Sequence, residues 1–405
     1  MRRHEAWAAV CAAMLMACSG ASPVKVAAPQ YITTRSAVAV ANLDGRIASQ
    51  RDEAGVEELL LVRARFLGDY EALDRASALA EGRFGTGREL LQRARVRSAA
   101  HRFAEALADV AAAERAGASV EESRALRASV LVATGHAGEV VAQLEAEVAR
   151  HPGFASRSAL AGAYAALGRF AEADRLYDAA LAGLDTTSPF PYAWVYFARG
   201  TMWAEQGGDP ARGEAMYARA LSHLPEFATA NIHLAELEAA RGDLSSAMAR
   251  LEGVVASSRE PEALALLGEL YVRTGELERG RREISRARQH YESLLARHPL
   301  AFADHAAEFY LGPGADAERA WVLARQNLAA RETDRALTLA IEAARATGRH
   351  PEVCALAARM SAVATRSGSS TMNVAPPPGV SSTEMVPPCA STMIRAVHNP
   401  NPSPL

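Results

Sequence analysis

Along most of this chain, apolar and small residues recur three and four positions apart, the spacing that lays one stripe along a helix. The runs break and restart at Gly68, Gly135, Gly168, Gly208, Gly242, Gly275 and Gly348, at intervals of about 34 residues or small multiples of it. Aligned on these turns, a small residue recurs at Ala106, Ala173, Gly213, Ala247, Gly280 and Ala320, five positions after the turn glycine in the four units from Gly168 to Gly275. Another recurs at Ala94, Ala128, Ala161, Gly200, Ala235 and Gly268, seven or eight positions before the turn. Where two helices cross closely, only Ala or Gly lets the backbones approach. The pattern predicts antiparallel helix pairs in nine units, starting near positions 54, 87, 121, 154, 193, 228, 261, 301 and 334.

The clearest unit reads Leu160-Ala161, Tyr164, Gly168, Phe170, Ala173, Tyr177 and Ala180. A second has Leu267-Gly268, Tyr271, Gly275, Gly280, Ile284 and Ala287; a third has Leu234-Ala235, Gly242, Ala247 and Leu251, with Glu238 in place of the first aromatic. This order of leucine, small residue, aromatic, turn glycine, small residue, aromatic and alanine resembles the tetratricopeptide repeat. The resemblance implies an all-α fold, a right-handed superhelical solenoid whose concave groove is lined by the first helix of each unit. Leu73 and Val353 replace the small residue in the first and last units, as expected of end caps packed on one side.

Three departures mark places where curvature should change: an inserted loop at Asp185–Tyr192, a helix running to His298 about two turns longer than the repeat needs, and Gly312-Pro313-Gly314. The array is expected over 35–365. Residues 366–405 switch to Ser, Thr and Pro, a composition that cannot form a packed element.

At the other end, Arg2-Arg3 precede an apolar run, Ala6–Ala17, too short for a permanent membrane helix and suited to an export signal over 1–17. The run closes on Leu15-Met16-Ala17-Cys18, which resembles a bacterial lipobox. That resemblance implies lipid on Cys18 and, with Ser19 following, an outer-membrane lipoprotein facing the periplasm; cleavage after Ser19-Gly20-Ala21 would instead give a soluble periplasmic protein. Residues 18–34 read as a flexible tether.

Composition narrows the chemistry. With 44 basic against 47 acidic residues there is no net positive field for a nucleic-acid backbone. The single lysine, Lys25, lies in the tether, which removes lysine-dependent phosphate or Schiff-base chemistry from the array. The Gly82–Gly87 run has neither a preceding strand nor a lysine and reads as an inter-unit loop, while Glu121-Glu122 reads as a solvated helix start. His151, His223 and His298 each stand at a helix end before or near a proline, where a cation complements the helix dipole; no shared metal, and no cofactor, is expected. Cys354 and Cys389 could pair in an oxidising compartment, though a buried small residue and a separate thiol is the simpler reading.

Aromatics crowd into the fifth unit. Trp194 and Phe197 are the candidate partner anchors on the groove side, whereas Tyr196 and Trp203 face the partner helix. Arg65, Arg88 and Arg95 are expected on the N-terminal part of the groove, and Glu236, Glu262 and Glu269 on the C-terminal part, a polarity that would steer a partner segment. The sequence thus reads as a non-catalytic scaffold or adaptor binding proteins. Its alternatives are a cytoplasmic regulator or assembly factor of the same fold, and a substrate-platform subunit of an envelope enzyme.

Overall fold

In the computed structural model, residues 31–50 and 53–367 are described. The signal at 1–17, Cys18 and the sequence beyond Ser367 lie outside them. Every regular element among the described residues is helical. After α1 (Ser36–Ser49), which the repeat pattern assigns to no pair, nine antiparallel pairs follow. They are α2 (Glu53–Leu67) with α3 (Tyr70–Glu81), α4 (Gly87–Ala99) with α5 (Phe103–Arg115), and α6 (Val120–Ala133) with α7 (Ala137–Arg150). Next come α8 (Phe154–Ala166) with α9 (Phe170–Ala182), α10 (Pro189–Thr201) with α11 (Pro210–His223), and α12 (Ala228–Ala240) with α13 (Leu244–Ser257). The last are α14 (Pro261–Arg273) with α15 (Leu277–Arg297), α16 (Ala303–Leu311) with α17 (Ala317–Ala330), and α18 (Asp334–Ala346) with α19 (His350–Ser367).

The seven glycines read as turns all take positive φ. The small residues do the work expected of them at the crossings. A β-carbon on Gly280 would lie 2.6 Å from the carbonyl oxygen of Gly268, so α14 and α15 touch backbone to backbone. At Gly200 a β-carbon would overlap the ring of Tyr217. Neighbouring units are further clasped by a recurring trio. The Tyr164 hydroxyl donates to Glu145 of the preceding pair at 2.6 Å while Arg169 stacks over its ring at 3.7 Å. Tyr271, Glu252 and Arg279 repeat this at 2.5 and 4.1 Å. In the unit lacking that aromatic, Glu238 is buried and held by Arg250 at 2.7 Å, a charged pair where the others have a ring.

The first unit is not an end cap. Leu73 is buried, and Ala76 and Ala80 are fully so, because α2 and α3 join one buried cluster with Tyr291, Leu294 and Leu295 of α15 and Phe302, Phe309 and Tyr310 around α16. The superhelix closes one turn and stacks on itself. The amide of Thr34 donates to the carbonyl of Thr187 at 2.7 Å, before the fifth pair, and Ser36 donates to Glu226 at 3.1 Å, before the sixth. Gly68 packs on Ser258 and Glu260, before the seventh. His101 Nδ1 lies 3.3 Å from the carbonyl of Leu300, before the eighth. Gly135, with φ 89°, packs so closely on Glu332, before the ninth, that a β-carbon there would overlap the Glu332 carbonyl.

This stacking explains the long helix. The last turns of α15 carry Tyr291, Leu294 and Leu295 into the shared cluster and end at His298, whose Nε2 meets Asp74 of α3 at 2.7 Å. The insertion is shorter than the sequence suggested, since α10 begins at Pro189, where proline's fixed φ suits a first helical position. Cys354 of α19 is disulfide-bonded, not the free buried thiol that was the simpler reading.

Candidate functional site

The first helices of the pairs line the inside of the closed turn. Along α12, α14, α16 and α18 this inner wall is charged. Glu236, Glu269 and Glu342 are each the ninth residue of their helix, with Glu308 at the matching height on the shorter α16, so a column of carboxylates runs along the lumen. Burial raises the Glu269 and Glu342 carboxyls above their ordinary range, as expected where like charges share a confined space.

Cations answer this column. The His233 imidazole lies 3.3 Å from Glu205 and 3.2 Å from Glu236. Burial opposes its charge, but the two carboxylates outweigh burial and lift it to about 9. His305 Nδ1 lies 3.3 Å from Glu262 and its Nε2 3.8 Å from Asp304. Against the cost of burial, these acids hold His305 well above an ordinary histidine, and the His305 cation in turn brings Glu262 down to about 2. Arg335 pairs with Glu308 at 3.0 Å and reaches Glu205 at 3.6 Å, while Arg331 pairs with Asp304. Beside them Glu260, buried and near Glu262, is pushed up to about 7 and accepts a hydrogen bond from Tyr70 of the first unit.

Glu205 belongs to none of the regular helices. α10 runs on into a π-helical turn, Met202–Gln206. The wider turn sets Trp203 under Arg212 at 3.5 Å and gives its Nε1 donor to Asp174 at 3.2 Å, while Glu205 meets His233 and Arg335. The Glu205–Arg335 contact joins the fifth unit to the ninth, so side chains alone bridge the lumen there.

The candidate anchors are reached from inside the molecule. Trp194 and Phe197 are half-buried neighbours with ring centroids 6.1 Å apart. Phe197 packs on Phe227 at 4.9 Å and Tyr217 at 5.7 Å, and Arg65 lies over Trp194 at 4.7 Å. Next to Arg65, Phe66 meets Phe190 and Phe227 at 5.1 and 4.8 Å. The polarity expected along the groove is largely satisfied internally: Arg95 pairs with Glu122 at 2.7 Å, Glu236 with His233, and Glu262 with His305. Arg88 is exposed, and Glu269 faces the turn at Gly312.

The helix-end histidines have specific partners that the dipole argument did not supply. His298 joins Asp74, and His223 stacks on Tyr192 and Tyr196 at 5.2 and 5.7 Å. His151 meets Glu147 at 2.8 Å; with Glu121 these two bring ligand atoms within 4.8 Å of one another on the outer surface, where Arg150 also pairs with Glu147. The inner network, Glu205, His233, Glu260, Asp304, His305, Glu308 and Arg335, was not read from the sequence. The recurring glutamate at one height of the first helices was the available signal; the π turn left none.

Residues 204–270 match the tetratricopeptide repeat family model. The all-α, tetratricopeptide-like fold is shared with several solved structures. The Cut9–Hcn1 hetero-tetramer of APC/C is 16% identical with a TM-score of 0.43, over 78% of this chain; this chain spans only 61% of that one's length. A tetratricopeptide repeat protein from Parabacteroides merdae is 16% identical with a TM-score of 0.37, covering 62% of this chain and 93% of that one. The human IFIT1 dimer with PPP-AAAA is 14% identical with a TM-score of 0.43, covering 82% and 96%. These likenesses concern the fold alone. No curated protein matches the chain.

Proposed function

We propose that this chain is a non-catalytic protein-binding scaffold of a bacterial cell envelope, anchored through lipid on Cys18. The observation that supports the binding half is the array of helix pairs, with its repeat match over residues 204–270. Such arrays hold a large rigid surface on which segments of other proteins dock. The lumenal acids and bases are joined in ion pairs that tie one unit to another, an arrangement suited to fixing shape. The envelope half rests on Arg2-Arg3, the Ala6–Ala17 run and Leu15-Met16-Ala17-Cys18.

Arg65 lies over Trp194 and Glu205 meets Arg335 across the lumen, so a partner segment docking there competes with these contacts. The test is fractionation of cells expressing the native chain beside Cys18→Ala, with mass spectrometry of the mature N-terminus and cross-linking of associated proteins. An acylated Cys18 in the outer-membrane fraction, lost in the variant and cross-linked to envelope proteins, is expected. An uncleaved chain in the cytoplasm would overturn the envelope reading and favour an intracellular assembly factor.

A further inference from the structure

Arg65 of α2, Glu269 of α14 and Glu342 of α18 stand outside the ion pairs of the lumen. Among the described residues no acid lies within ion-pair distance of Arg65, whose specific contact is the Trp194 ring at 4.7 Å. Burial alone acts on its charge, pulling the guanidinium below the ordinary arginine range. The Trp194 indole N–H likewise meets no acceptor among these residues. Glu269 and Glu342 pair with no cation: Arg273 and Arg345, one turn further along the same helices, act on them only from beyond ion-pair distance. By contrast His233, His305, Arg331 and Arg335 each meet a carboxylate.

These unpaired groups are not sealed in. Arg65 and Glu342 are exposed and Glu269 is half-buried, so water reaches each of them. Yet the surrounding wall is close enough to push Arg65 down and both carboxyls up. A charge that is accessible but poorly hydrated gains more from an incoming opposite charge than one on the outer surface, because its field is less screened. An unpaired cation beside Trp194 and Phe197, with unpaired carboxylates on other first helices, calls for a ligand that carries both signs. The carboxylate column of Glu236, Glu269, Glu308 and Glu342 repels a polyanion, and a purely basic segment would set a like charge against Arg65. The guanidinium offers its edge to a carboxylate while its face stays on Trp194, so an acid adds to that contact without displacing it.

We infer that the lumen receives a partner segment of mixed charge, in which an aspartate or glutamate pairs with Arg65 over Trp194 and lysine or arginine side chains pair with Glu269 and Glu342. The inference deepens the scaffold reading and rests on its protein-binding half; it does not depend on lipid at Cys18.

The test selects from a random peptide library displayed on phage, using the full chain in native form and as Arg65→Glu, Arg65→Gln, and Glu269→Gln with Glu342→Gln. Enriched sequences are then measured as labelled synthetic peptides by fluorescence anisotropy, with helical circular dichroism and melts checking that each variant keeps its fold. Peptides enriched on the native chain are expected to carry an acid together with lysine or arginine, and to bind Arg65→Glu about tenfold more weakly. Replacing the peptide's acid by lysine is expected to restore binding to Arg65→Glu, a reversal that loss of packing at Arg65 would not give. In the double glutamine variant, neutralising the peptide's basic residues is expected to weaken binding no further. No enrichment over the bare support, enriched peptides without an acid, or equal binding to Arg65→Glu and the native chain would overturn the inference. A single-stranded oligonucleotide bound by the native chain and lost in Arg65→Gln would assign Arg65 to phosphate and overturn it as well. Envelope proteins that cross-link equally to the native chain and to Arg65→Glu would leave the scaffold reading standing without this inference; cross-linking to neither would overturn the scaffold reading itself.

Discussion

Asp74 and His298 are 224 residues apart in the chain and 2.7 Å apart in the fold. Their contact ties the second helix of the first unit to the end of α15, and Arg297 adds a second link to Asp74 at 3.1 Å. A solenoid usually contacts only its sequence neighbours. Here the first three pairs also rest on the loops before the seventh, eighth and ninth, so contacts of long sequence separation should make the whole array unfold together.

His298→Ala is therefore expected to lower stability by about 2 kcal/mol, the loss of a buried hydrogen bond to a charged group. Hydrogen exchange should rise in α2 and α3 as well as at the mutated helix end. Exchange confined to the neighbourhood of residue 298 would show that the seam carries no cooperativity.

The crossings were legible in the sequence, and Gly268 and Gly280 show why. A small residue is a steric requirement that repeats with the unit, so it leaves a periodic trace. Substituting Gly280→Ala sets a methyl 2.6 Å from a carbonyl oxygen and is expected to cost about 1–3 kcal/mol in a thermal or urea melt. A neutral result would mean that α14 and α15 separate without penalty.

Closure was not legible. It depends on residues whose partners stand some 200 positions away, such as His101 with Leu300. Leu73 looked like the mark of an unpacked end because the repeat pattern describes only adjacent contacts. The long α15 was visible as an irregularity, but its purpose, seating the first unit, needed the three-dimensional arrangement. Glu205 escaped notice because a π turn follows from tertiary packing and not from residue spacing.

The lumen makes stability depend on pH. His233 is raised to about 9 from an ordinary value near 6.5, so its contribution is complete below pH 6.5 and is lost as pH rises through 9. His305 acts in the same direction. Melting temperature should fall between pH 7 and pH 9.5, by an amount equivalent to about 1–3 kcal/mol, and the slope should shrink in His233→Gln. Glu260, raised to about 7, adds a decline of its own between pH 4.5 and pH 7, because its protonated form is the one that the fold favours. A melting temperature flat from pH 7 to pH 9.5 would contradict the network.

The aromatic pair separates a packing role from a binding role. Phe197→Ala removes contacts with Phe227 and Tyr217 and is expected to cost about 2 kcal/mol. Trp194→Ala loses chiefly the Arg65 stacking, about 1 kcal/mol or less. Partner capture that drops in Trp194→Ala, with the melt nearly unchanged, would assign Trp194 to the partner; capture and stability falling together would make both residues part of the internal packing.

The most direct test of the closed superhelix is a cross-link across its seam. In a chain whose other cysteines are replaced by serine, Asp74→Cys with His298→Cys should be joined within one molecule by a short bis-maleimide of about 10 Å reach, longer than the bare disulfide span, while preserving helical circular dichroism. An open array would hold these positions too far apart; no bond, or bonds only between molecules, would contradict the closure on which this account rests.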